Sequence, residues 1–225
     1  MILKPKRIKK NSVCALIAPS GPVSDQKYLK SVSNIEKIGL KPKVFRANFQ
    51  HGHFSGTSKE RLNELKYSFD PKNNTESVFC IRGGFGVTKI LPFIDFSIAE
   101  KNPIPLIGFS DITALQSAFY VKTGLVSIHG IVAASEFTDY CVQQIENLLF
   151  NPHEKYKLPL KSIKVLNKGK AEGIIVGGNL SLLTSLIGTE YLFSFKNNLV
   201  FIEEISEPPY KIDRMLNHLI QATDI

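Results

Sequence analysis

Through the first 150 residues, short apolar runs alternate with segments whose apolar positions recur every three or four residues. The runs at 12–18 (SVCALIA), 43–46 (KVFR), 77–81 (SVFCI), 104–109 (IPLIGF) and 125–128 (LVSI) predict strands. Their nearly continuous apolar character is that of strands covered on both faces. Helical spacing appears at 25–38 and 58–69, with further helices expected at 111–122 and 138–150. Thr57 and Glu60 give the second of these a T-x-x-E capping box, in which each residue satisfies an orphan donor of the other. Strands alternating with helices build βαβ units on a parallel sheet. The fold class predicted is α/β, with a doubly wound domain over 1–150.

From residue 151 the texture changes to NPHEKYKLPLKSIKVLNKGKAEG, which predicts a linker over 151–170 and a second unit over 171–225. That unit is expected to hold a strand at 173–176, a helix after Gly178, a strand at 199–203 and a helix at 210–222. So short a segment buries little apolar surface alone. It is expected either to lean on the first domain or to be part of a larger one.

Composition changes this picture little. With 225 residues, 43% hydrophobic and 21% charged, the chain has the make-up of a globular protein, which excludes disordered and collagen-like classes. No apolar run approaches the ~18 residues that span a bilayer. The run at 13–18 stops at Pro19, short of the ~7–15 residues of a signal-peptide core, so a cytoplasmic protein without a membrane partner is expected. Cys14, Cys80 and Cys141 are widely spaced and lack a CxxC, which argues against a disulfide framework or a zinc site and for small buried apolar side chains. The net charge of +8 is concentrated in Lys4, Lys6, Arg7, Lys9 and Lys10. No aromatic residue interleaves with them, so they predict a solvated N-terminal arm and no nucleic-acid partner.

The sharpest candidate chemistry is at 107–113 (IGFSDIT), where a strand enters a helix through a tight turn with Ser110 at its apex. Such a turn exposes a nucleophilic hydroxyl while backbone N–H groups at the helix start can receive an oxyanion. From the turn alone, Ser110 or Asp111 acting as a helix cap is the favoured reading. Arg82-Gly83-Gly84-Phe85-Gly86 follows the third strand, at the edge where open α/β sheets bind ligands. Its glycines let backbone amides approach a ligand and Arg82 is suited to a carboxylate, although a plain turn has the same composition. Ala18-Pro19-Ser20-Gly21 is a turn signal. Gly177-Gly178-Asn179 fits close packing or an Asn cap. Glu203 ends an apolar strand, where an acid can orient a catalytic base or pair with a neighbour such as Arg214. His51, His53, His129, His153 and His218 contain no HExxH, and no metal or cofactor is expected. His51 and His53 read as loop residues, and His129 as a residue that lines a pocket.

Taken in order, APSG at 18–21, FSGT at 54–57, RGGFG at 82–86, GFSDITAL at 108–115, GGNLSLL at 177–183 and EEISEPPYKIDRML at 203–216 resemble the LD-carboxypeptidase family. The resemblance implies a flavodoxin-like N-terminal domain and a swivelling β/β/α C-terminal domain, here shortened, with the active site between them. It implies release of the terminal D-alanine from murein tetrapeptides in cell-wall recycling, a Ser-Glu-His triad, no metal, and a homodimer. By motif position it makes Ser110 the nucleophile and Glu203 the acid that orients the histidine. The Gly84 and Asp111 amides would form the oxyanion hole, with Arg82 and Gly83 at the substrate carboxylate.

Phe85, Glu204 and Ile131 stand where the family commonly has Tyr, Asp and Pro. The family's histidine follows the DRML helix, beyond Ile225, so the resemblance implies impaired hydrolysis by the chain as written. His129 is the histidine expected nearest the crevice, at a position the family does not use as base. Two alternatives stay open: a murein-peptide-binding paralogue without hydrolysis, and a hydrolase giving immunity to a peptide-nucleotide antibiotic.

Overall fold

The computed structural model describes residues 2–45, 51–152 and 163–225. Arg46, His153 and the middle of the expected linker lie outside the described residues. Five strands, β1 (Val13–Ile17), β2 (Lys41–Val44), β3 (Ser77–Cys80), β4 (Leu106–Gly108) and β5 (Ile128–His129), form one parallel sheet in the order β2-β1-β3-β4-β5. That is the flavodoxin-like doubly wound order, with its switch point between β1 and β3. The second strand therefore starts two residues before its predicted position. The fifth starts later than its apolar run suggests, because Leu125 is spent on an isolated bridge to Leu3.

Period-2 alternation sends neighbouring side chains of one strand into different cores. Ala15 and Ile17 of β1 join a cluster with Leu65 and Phe69 of α2 (Ser58–Phe69), Ala99 of α3 (Ser97–Lys101), and Leu115 and Phe119 of α4 (Ile112–Thr123). Leu16 points the other way, into a cluster with Ile35 of α1 (Asp25–Lys37) and Ile145 and Leu149 of α5 (Asp139–Phe150). The expected capping box of α2 is formed: Glu60 N donates to Thr57 Oγ1 at 3.2 Å, and Thr57 N to Glu60 Oε2 at 2.7 Å. Cys14 and Cys80 are fully buried, and burial pushes the Cys14 thiol up to about 12.

The basic N-terminal segment is not a free arm. Leu3 N donates to Gly124 O, Val126 N to Leu3 O and Lys6 N to Pro103 O, while Ile8 is buried and Lys10 pairs with Glu146 at 3.2 Å. The lysine heads are solvated as expected, but their backbone is a strap along the amino edge of the sheet. The alternation of charged residues with Leu3 and Ile8 is what charge counting overlooked.

Beyond residue 163, β6 (Ile174–Asn179) and β7 (Asn198–Glu203) pair in parallel, running in register from Ile174 opposite Asn198 to Asn179 opposite Glu203. Helices α6 (Leu180–Ser185) and α7 (Pro209–Ala222) pack on them around Val176, Leu183, Phe195 and Leu219. This small unit leans on α4, as its size requires: Ser117 Oγ donates to Tyr191 O at 2.5 Å and Lys122 pairs with Glu190. Among the described residues, no helix is long and apolar enough to cross a membrane.

Candidate active site

The turn from β4 into α4 holds Ser110 at φ +63°, a left-handed conformation that non-glycine residues adopt at a cost. Neither expected cap is made, since no side chain caps the N-terminus of α4. Asp111 is buried and turns inward instead. Its Oδ2 accepts from Ser20 Oγ at 2.5 Å and from Val87 N at 3.0 Å. One carboxylate thereby ties together the chain ends of β1, β3 and β4. Burial pushes the Asp111 carboxyl above its ordinary value, against the Ser20 and Val87 hydrogen bonds and the nearby Arg61.

The glycines after β3 bring backbone against Ser110. A β-carbon on Gly83 would lie 2.9 Å from Ser110 Cβ and 3.1 Å from its Oγ. Gly84, at φ +122°, is exposed beside it, and a β-carbon there would meet Gly21 at 3.2 Å. Among the described residues, no acceptor takes the amide of Gly84 or of Asp111. Both stay unclaimed, close in the chain to the half-buried Ser110 and to Gly83, which packs against it. Arg82 folds back so that Nη1 donates to Pro22 O at 2.8 Å, which lays its guanidinium between Gly21 and Gly84.

Arg61 and Glu64 support these loops, and reading motifs alone missed them. Arg61 is 1% exposed and its Nη1 donates to Pro19 O and Gly86 O, each at 2.9 Å. Glu64 accepts from Ala18 N at 3.3 Å. The signal was present, since both sit in the 61, 64, 65, 68, 69 stripe that α2 buries. A charge in an apolar stripe marks a paired interior group.

Across the crevice, Asn179 caps α6 through Leu182 N, and its own amide donates to Thr113 Oγ1 at 3.1 Å. Both readings of the GGN segment hold, because Gly178 also packs on Thr113 closely enough that a β-carbon would lie 2.4 Å from Thr113 Cγ2. Glu203 lies opposite Asn179 in the β6–β7 ladder, the strand end that reaches the first turn of α4. No hydrogen bond joins Glu203 to Ser110 among the described residues. Arg214 lies over the Tyr210 ring and does not pair with Glu203. Instead Glu203 Oε1 is 3.5 Å from His129 Nε2. Glu204 is fixed by four donors: Asn179 Nδ2, Ile205 N, Ser181 N and Ser181 Oγ. His129 lines a cavity of about 110 Å³ between α4 and the second sheet, as expected of it. Burial pushes Glu203 above the usual carboxylate value and lowers His129 to about 4. Among the described residues, no group of acids, histidines and cysteines is arranged to hold a metal ion.

A doubly wound sheet with a strained serine at a strand-to-helix turn, packed against the glycine loop after β3, is the architecture of a serine hydrolase. The chain belongs to the LD-carboxypeptidase family: the family's N-terminal domain matches residues 14–130 and its C-terminal domain residues 172–225. By family it is a serine carboxypeptidase. A probable murein peptide carboxypeptidase of Bacillus subtilis strain 168 is 40% identical over 225 residues, covering 96% of this chain and 69% of the relative. The crystal structure of an MccF-like protein from Bacillus anthracis str. Ames matches with TM-score 0.85 at 26% identity, over 99% of this chain and 77% of that one. That of a muramoyltetrapeptide carboxypeptidase from Oxalobacter formigenes matches with TM-score 0.84 at 25% identity, over 94% and 72%.

Proposed function

We propose that this chain is built to release the terminal D-alanine of murein tetrapeptides, with Ser110 as nucleophile. Ser110 Oγ adds to the carbonyl that precedes the D-residue, and its proton passes to a histidine base oriented by Glu203. The tetrahedral oxyanion is received by the Gly84 and Asp111 amides. Its collapse expels D-alanine, whose amine takes the proton, and water then releases the acyl group. Arg82, whose guanidinium lies beside Gly21 and Gly84, is the residue we assign to the substrate carboxylate. On the resemblance, the base belongs to a segment that follows position 225 in the family's order. The same reading divides the chain into a nucleophile domain over 1–150, a linker over 151–170 and part of a C-terminal domain over 171–225. It places the reaction in the cytoplasm and in a homodimer.

The observation that bears most weight is the left-handed Ser110 packed against Gly83, with the amides of Gly84 and Asp111 unclaimed among the described residues. Water and a solvated serine lack such a preorganised pair. D-alanine release from an L,D-tetrapeptide, followed for a chain carrying the family's histidine segment and for its Ser110→Ala variant, tests the reading. Loss of release in the variant is expected, and undiminished turnover overturns it. Tight tetrapeptide binding without release by a chain carrying the family's histidine segment would favour the binding paralogue.

The likeness to an MccF-like protein supports a second reading, hydrolysis of a peptide-nucleotide antibiotic. An aminoacyl sulfamoyl adenosine offered in competition with the tetrapeptide separates the two by the kcat/KM for each.

A further inference from the structure

We propose that His129 is a positioning residue for Glu203, the two side chains holding one proton between Nε2 and Oε1. Gln116 sets the tautomer of His129. Gln116 Nε2 donates to Gly108 O at 3.0 Å and to Ile128 O at 2.9 Å, so both amide hydrogens are committed and the amide cannot be turned over. That orientation aims Oε1 at His129 Nδ1, 3.4 Å away. Facing an acceptor, Nδ1 carries the hydrogen. In a neutral ring, Nε2 is then a bare lone pair, and it looks at Glu203 Oε1 across 3.5 Å.

Both atoms are buried, and among the described residues neither has another hydrogen-bond partner. Two acceptors held together out of water repel each other, and unsatisfied buried polar atoms are costly. One proton converts the pair into a hydrogen bond, written either as imidazolium with carboxylate or as imidazole with carboxylic acid. The surroundings admit one and discourage a second. Phe109 and Phe201 pack edge-on against the imidazole at centroid distances of 6.3 and 5.0 Å and bring no charge. Asn179 and Glu204 face Glu203, and the Glu204 carboxylate, pinned by its own donors, favours a proton on its neighbour. Burial acts in the same sense on both partners: it raises the affinity of Glu203 for a first proton and lowers that of His129 for another.

The pair links the two sheets, since His129 ends β5 and Glu203 ends β7. A carboxylate that must orient a base needs a fixed direction, and one oxygen tied to His129 supplies it. The positioning role rests on the reading of Glu203 given above; the shared proton does not.

The test uses the full chain labelled with ¹⁵N-histidine and ¹³C-glutamate. His129 Nε2 and Glu203 Cδ are expected to titrate together with common midpoints. In Glu203→Gln the amide can donate to Nε2, so His129 is expected to stay neutral and Nδ1-protonated from about pH 5 to about pH 8. In His129→Gln the Glu203 midpoint is expected to move. Both substitutions keep polar side chains of similar size, so folded spectra serve as their control. Independent midpoints that neither substitution shifts overturn the proposal. Ser110 inert to a fluorophosphonate in a chain carrying the family's histidine segment would sink the nucleophile reading while leaving joint titration standing, which keeps the two failures apart.

Discussion

Gly178 stands against Thr113 so closely that a β-carbon on the glycine would lie 2.4 Å from Thr113 Cγ2 and 2.8 Å from Oγ1. The next amide, of Asn179, donates to that same hydroxyl. This contact seats the second sheet on the first turn of α4, three residues past Ser110. Gly178→Ala combines a left-handed φ of +146° with overpacking, each of which costs ~1–3 kcal/mol. We expect a loss of at least about 2 kcal/mol in denaturant unfolding, with early proteolysis after residue 163. Gly188→Ala, at φ +80° with nothing within 4 Å, carries the backbone cost alone and should lose about 1 kcal/mol.

Ser110 carries its left-handed backbone at the residue we assign as nucleophile. Ser110→Gly relieves the left-handed backbone, whereas Ser110→Ala keeps it. Glycine should therefore exceed alanine in stability by about 1 kcal/mol, the strain relief slightly offset by backbone entropy. Urea midpoints of the two variants check this, and equal midpoints would deny the strain.

A raised carboxyl pKa at Asp111 means that the folded chain binds this proton more tightly than the unfolded chain does. Its contribution to stability is full below the unfolded value of 3.8 and is lost as pH rises through the higher folded value. Asp111→Asn, with its amide oxygen in place of Oδ2, keeps the Ser20 and Val87 bonds and should abolish this slope. Asp111→Ala should cost ~1–3 kcal/mol for each donor left unpaired. Unfolding midpoints at acid and neutral pH distinguish these outcomes.

Arg61 bridges two loops by donating to Pro19 O and Gly86 O. Arg61→Met leaves both carbonyls in the interior without that donor, and we expect a loss of about 3 kcal/mol. Arg61→Lys should recover only part of it, because an ammonium lacks the guanidinium fork. Hydrogen exchange at the amides of residues 82–86 should accelerate in both variants.

Much of the fold was legible because parallel strands covered on both faces leave continuous apolar runs, and 13–17, 77–80 and 106–108 lie inside the predicted ones. The short helix α3 and the turns at Val87–Lys89 and Leu91–Phe93 were not legible. Segments of three to five residues are too brief to show a period. At the site, Gly83 lies against Ser110 and the Arg82 guanidinium beside Gly21 and Gly84, so the segments 18–21, 82–86 and 108–115 come together. The sequence pointed to Asp111 as a helix cap and not to its inward bonds with Ser20 and Val87, because an acid at a helix start has the residue type of a cap whichever way it turns. The pairing of His129 with Glu203 was hidden for another reason. It joins positions 74 apart in the chain through a contact between two sheets, and no local pattern encodes such a meeting.

The N-terminal strap runs under the amino edge of the sheet, at the opposite end from Ser110. A bead, sensor chip or fusion partner attached ahead of Ile2 would therefore stand behind the molecule, with the crevice left facing the solution. Immobilisation through that end suits binding measurements.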